Sequence, residues 1–137
     1  MANDHNIFIS HSWAYGDAHQ RLKNLLRARP YFFFRDFSVP KDDPIHNAPN
    51  AQALYSAIYN QMRPASVVLI MGGVYATHSK WINLEIQIAR EEFSNPKPII
   101  AIRPWAQTNM STVVQEAADE IVGWNTESVV DAIRRWS

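Results

Sequence analysis

A parallel α/β sandwich of five strands, with helices on both faces, is the architecture the sequence predicts, and three observations predict it. Short runs recur that are apolar at both parities, as strands buried on two faces are. Between them stand segments with apolar residues spaced three and four apart, the mark of amphipathic helices. Strand and helix alternate in this way five times along 137 residues, which is how a parallel sheet is wound by crossover helices. For such a chain the common doubly wound order is 2-1-3-4-5, the flavodoxin-like three-layer αβα arrangement. Its ligand crevice lies outside the carboxyl ends of the strands, at the switch point between strands 1 and 3.

Each element has its own warrant. Asn6 to Ser10 reads as the first strand, and His11 to Gly16 as the loop after it. Asp17 is placed to cap a helix reaching about Ala28, with Ala18, Leu22, Leu25 and Leu26 on its apolar face, and Pro30 stops it. Tyr31 to Phe34 is an aromatic strand. The stretch from Asp36 to Asn50 carries three prolines and no periodicity, and connections of this length in compact domains usually serve function. Asn50 is placed to cap a helix through Leu54, Ala57, Ile58 and Met62, which Pro64 ends. Ser66 to Met71 is the most hydrophobic strand and belongs at the centre; Gly72 and Gly73 close it. A helix from His78 to Phe93 follows, terminated by the Asn95 to Pro98 stretch. Ile99 to Ile102 is a buried strand, and Arg103 to Met110 a loop. A short helix over about Thr112 to Ala118, an edge strand at Glu120 to Val122, and a final helix capped by Thr126 complete the chain.

Composition bounds the function. The length suits one domain covering 1–137. Thirteen basic and thirteen acidic residues cancel, so electrostatic binding to nucleic acid or to an anionic membrane is not expected. The absence of cysteine removes disulfides, thiolate catalysis and thiolate zinc sites, and makes the cytoplasm the natural location. No basic segment followed by an apolar one opens the chain, and no apolar run nears the ~20 residues of a membrane span, so neither export nor membrane insertion is expected. The histidines at 5, 11, 19, 46 and 78 are scattered, and no metal is expected. With only four glycines the chain has neither a phosphate-binding P-loop nor a dinucleotide Gly-x-Gly-x-x-Gly run. A receiver domain's acceptor aspartate is missing too, since Met71-Gly72 stands at the end of strand 3. A serine hydrolase built from Ser10 or Ser12 with His11 is disfavoured, because adjacent residues at a strand end point apart.

One carboxylate is on the wrong side of its helix. With Trp81 at zero and about 100° per residue, Arg90, Asn83, Gln87 and Glu91 form a wet face, whereas Glu85 lands at about 40°, inside the apolar arc between Trp81 and Ala89. Glutamates rarely sit there unless paired, hydrogen-bonded or facing a cleft. Glu92 shares the direction but lies near the helix end, where it can reach solvent. The fold expectation reaches the same residue independently. It lines the crevice with His11, Ser12, Trp13 and Tyr15 on one side and Gly72, Gly73, Tyr75, Trp81 and Glu85 on the other. Trp105, Trp124 and Trp136 read as packing residues.

These residues resemble a known family. Phe8 to Ser12 (Phe-Ile-Ser-His-Ser) resembles the first box of TIR domains, and Trp81 to Glu85 is similar to their Trp-x-x-x-Glu helix. The proline-rich loop stands where the TIR BB loop belongs, with Lys41 where the family pattern Arg-Asp-x-x-Pro-Gly has glycine. The tail, Lys97 to Pro104 with Glu120 to Asn125, is similar to the TIR-like branch that includes the ThsB proteins of the Thoeris anti-phage system. The resemblance implies cleavage of the nicotinamide–ribose bond of NAD, which is substrate and not cofactor, giving an ADP-ribose-derived signal for a separate effector protein. It implies Glu85 as the catalytic residue. Joined to the crevice expected from the fold, it makes Phe8, Ser10, His11, Ser12, Phe37, Ser38, Asp42, Gly72, Tyr75 and Trp81 the substrate-binding set. Self-assembly through TIR–TIR contacts is a further implication. Two other readings stand beside it: a non-catalytic TIR-like interaction module, and an N-glycosidase acting on another nucleoside or nucleotide.

Overall fold

The structure, a computed structural model, describes residues 5–10, 18–37, 51–71, 80–103 and 112–137. The expected caps at Asp17 and Asn50, most of the proline-rich connection, and the loops after strands 1, 3 and 4 fall outside those residues. The described elements are β1 (His5–Ile9), α1 (Ala18–Arg27), β2 (Phe34–Asp36), α2 (Ala51–Met62), β3 (Val67–Met71), α3 (Lys80–Glu91), β4 (Ile99–Ile102), α4 (Thr112–Ala117), β5 (Glu120–Val122) and α5 (Thr126–Trp136). All four strand pairings are parallel, and the order is β2-β1-β3-β4-β5, as the alternation predicts.

Strand alternation sorts the core into two halves. Ile7, Ile9, Val67, Leu69, Ile100 and Ile102 point to one face, where Leu22 and Leu26 of α1 and Val129, Val130 and Ile133 of α5 cover them. Phe8, Val68, Ile70, Ile99 and Ala101 point to the other, beneath Ile58 and Met62 of α2, Ile82, Ile88 and Ala89 of α3, and Val114 of α4. For the crossover helices α1 to α4 the placement follows from connection handedness, since right-handed crossovers put helices on opposite faces when the chain reverses its direction across the sheet. The step from β1 to β2 goes one way and carries α1, and every later step goes the other way. Helix α5, after the last strand, packs beside α1, where Thr126 bonds the Leu25 carbonyl.

Several boundaries shift by one or two residues, β1 to His5–Ile9 and the end of α3 to Glu91 among them, and two differences have a visible cause. The aromatic strand begins at Phe34, not Tyr31. Tyr31 has φ 62°, a left-handed conformation no strand continues, and it is exposed. Phe32 is buried beneath α1 and α5, and pairing with β1 starts only where the His5 amide reaches the Phe33 carbonyl at 2.9 Å. The second difference is the cap of α5. Asn125 is the N-cap: its extended backbone (φ −155°, ψ 152°) lets its side chain accept from the Ser128 amide at 2.8 Å. Thr126 is already helical, and its hydroxyl donates instead to the Leu25 carbonyl of α1 at 2.8 Å. Among the described residues no helix is long and apolar enough to cross a membrane.

Candidate active site

The crossing of the sheet from β1 to β2 and back to β3 opens the switch point beside the carboxyl end of β1. Ser10 sits there. Its amide donates to the Leu69 carbonyl at 2.9 Å, carrying the β1–β3 ladder one residue past the strand. Because Phe8 faces α2 and α3, the period of two aims the Ser10 side chain at that same layer.

Helix α3 meets it with Glu85. Ile82, Glu85, Ile88 and Ala89, spaced three, six and seven apart, form its buried stripe, while Asn83, Gln87 and Glu91 are exposed. The Ser10 hydroxyl donates to Glu85 Oε1 at 2.7 Å. Glu85 has no exposed surface and Ser10 only 2%, and they are the buried polar pair of the described core. A hydroxyl–carboxylate contact of this length is a charge-assisted bond, and it offsets part of the cost of taking the carboxylate out of water. Glu92, by contrast, lies beyond α3 and is exposed, as the helix-end argument predicts.

The remaining expected site residues divide into three groups. Phe8 is fully enclosed in the core under α2 and α3. Phe37 is half-buried just past β2, its amide bonded to the Ile7 carbonyl at 2.9 Å. His11, Ser12, Ser38, Asp42, Gly72 and Tyr75 lie outside the described residues, and so does the side chain of Trp81, whose backbone belongs to the first turn of α3, one turn before Glu85. The described geometry thus brings together Ser10 and Glu85. The sequence offers both residues but not their pairing, for which alternation from Phe8 toward the α3 layer is the local signal. A separate cleft of about 310 Å³, lined by Lys23, Arg27, Phe32, Phe33, Phe34 and Asp36, lies on the α1 side of the sheet edge and is not part of this arrangement. Among the described residues no three carboxylate, histidine or cysteine side chains are grouped to hold a metal ion.

The family model for the Thoeris protein ThsB, TIR-like domain, matches residues 8–109. The chain belongs to that family. The matched stretch begins in β1 and runs past β4, so both members of the buried pair lie within the ThsB TIR-like region. No curated protein matches the chain. Open α/β sheets in general carry their ligand crevices outside the carboxyl ends of the strands, and Glu85, through its bond from Ser10, is the buried carboxylate at that end of β1 in the described core.

Proposed function

We propose that this ThsB TIR-like domain consumes NAD in the cytoplasm, breaking the nicotinamide–ribose bond to make an ADP-ribose-derived signal for a separate effector in anti-phage defence. The observation that supports this reading is the burial of Glu85 at the switch point, held by a neutral hydroxyl donor. In the reaction the ribose C1′–N bond breaks and its electron pair leaves with nicotinamide. The ribose is left as an oxocarbenium ion. A carboxylate in a dry pocket stabilises that cation far more than it would in water, because low dielectric strengthens the attraction. Attack by water at C1′, with loss of a proton, gives ADP-ribose; attack by a nucleophile of the same molecule closes a ring. Pocket shape selects between them.

The test is incubation of purified protein at high concentration with NAD, alone and with candidate triggers, followed by chromatography with mass detection beside Glu85→Gln. Nicotinamide release is expected from the wild type, and the substitution is expected to reduce it by roughly 10²–10³-fold, the usual cost of removing a stabiliser of transition-state charge. Product mass identifies the nucleophile. Cleavage of another nucleoside with NAD left intact would indicate the N-glycosidase.

The complete burial of Glu85 also suits a second reading, in which the Ser10–Glu85 bond pins α3 to β1 in a non-catalytic interaction module. Under that reading Glu85→Gln lowers stability, and no nucleotide is consumed with or without triggers.

A further inference from the structure

We propose that Ser10 is a positioning residue: its hydroxyl fixes the rotamer and plane of the Glu85 carboxylate instead of binding substrate. This rests on the reading of Glu85 as the catalytic group. The sequence-based expectation placed Ser10 among the substrate contacts, whereas its hydroxyl proton is given to Glu85 Oε1 at 2.7 Å. A hydroxyl has one proton to donate, so a donor bond to substrate would have to break this one, and with Ser10 only 2% exposed little of its oxygen is open to accept from a ligand.

The geometry makes Ser10 a rigid donor. Its oxygen is one rotatable bond from a backbone locked by the bond to the Leu69 carbonyl, at the end of a strand whose Ile7, Phe8 and Ile9 are fully buried. Glu85 is the opposite case. Three rotatable bonds separate its carboxylate from α3, so the helix alone places the charge within a wide arc. Holding Oε1 removes that freedom and sets the direction of Oε2 with it. Electrostatic stabilisation depends on such preorganisation, because a charge that must first swing into place loses its advantage over water. The chemistry of the donor matters too. A lysine or arginine at this position would also hold the carboxylate but would bring a positive charge of its own; a hydroxyl orients it and adds none.

Ser10→Ala and the near-isosteric Ser10→Cys, a weak donor, should lower kcat for nicotinamide release by roughly ten- to a hundredfold, the effect of a misplaced catalytic group. KM for NAD should stay within about threefold, because Ser10 does not contact substrate. Ser10→Thr restores the hydroxyl and should recover much of kcat. In the Glu85→Gln background Ser10→Ala should have no further effect. A raised KM with unchanged kcat, or unchanged kinetics in both Ala and Cys variants, would overturn the proposal. If the wild type consumes no NAD, the catalytic reading fails by itself, and the positioning claim is read from protein labelled with ¹³C at the glutamate carboxyl. The resonance absent from Glu85→Gln should shift or broaden in Ser10→Cys and return in Ser10→Thr, and an unmoved resonance refutes it. Circular dichroism reports which variants fold, and the Cys and Thr pair carries the test should Ser10→Ala not fold.

Discussion

The C-terminus of α2 is finished by a lysine from a distant loop. Lys97 Nζ donates to the Arg63 carbonyl at 3.0 Å and the Ala65 carbonyl at 2.7 Å, and stands 4.8 Å above the Phe93 ring. A cation there meets the carbonyl end of the helix dipole. Burial pushes the Lys97 ammonium below its ordinary pKa, since the charged form loses hydration. Lys97→Met keeps the apolar stem and removes both donors, and it should cost about 1–3 kcal/mol by urea unfolding while leaving nicotinamide release intact. An unchanged midpoint would show that water replaces the amino group at no cost. In the sequence Lys97 reads as part of a helix stop between two prolines and as the start of the family-like tail, with nothing to link it to α2. Glu85 is different, because its position on the helical circle exposes it without any partner being known. What stayed hidden was its pairing with Ser10, a residue the sequence offers as a substrate contact; the two are 75 residues apart, and local periodicity carries no information across that distance.

Helix α5 shows how an element is tied in at its ends. Thr126 bonds to the end of α1, Glu127 pairs with Arg29, and Arg135 and Trp136 grip Glu120 of the edge strand β5, the Trp136 Nε1 at 2.8 Å. The Arg135 guanidinium, followed by the Trp136 donor, holds the Glu120 carboxyl below its ordinary pKa, against the opposing effect of its partial burial. A carboxyl depressed in the folded state contributes stability above its unfolded pKa and loses it as pH falls through the folded value. The urea midpoint of the wild type should therefore exceed that of Glu120→Gln at pH 7, and the difference should vanish as the pH falls through the folded-state value, which lies below that of an unperturbed glutamate. Salt should shrink it, since the pair is near the surface. A gap that persists in acid would assign the effect to packing. The period of α5 was legible from Val129, Val130, Ile133 and Trp136. Its cap was off by one residue because Asn125 and Thr126 are both good capping types, and the choice was made by the Leu25 carbonyl across the domain.

For the molecule as a whole, stability should be graded outward from the sheet centre. Strands β1, β3 and β4 are buried on both faces, whereas β5 and β2 are three residues each and form the edges. Hydrogen exchange should find the slowest amides in β3 and β4 and markedly faster ones in β5 and β2, with uniform protection contradicting this picture. The sequence by itself determined the number, kind and order of the elements, because apolar runs and helical periods are local properties written over a few residues. It also determined the sheet order, since parallel strands joined by right-handed crossovers leave few arrangements, and it singled out one misplaced carboxylate. Tertiary structure alone decided which hydroxyl meets that carboxylate, where the aromatic strand starts, which residue caps the last helix, and that a lysine closes α2. Each of these is a choice between chemically similar local options, settled by a group distant in sequence that folding brings within hydrogen-bond reach.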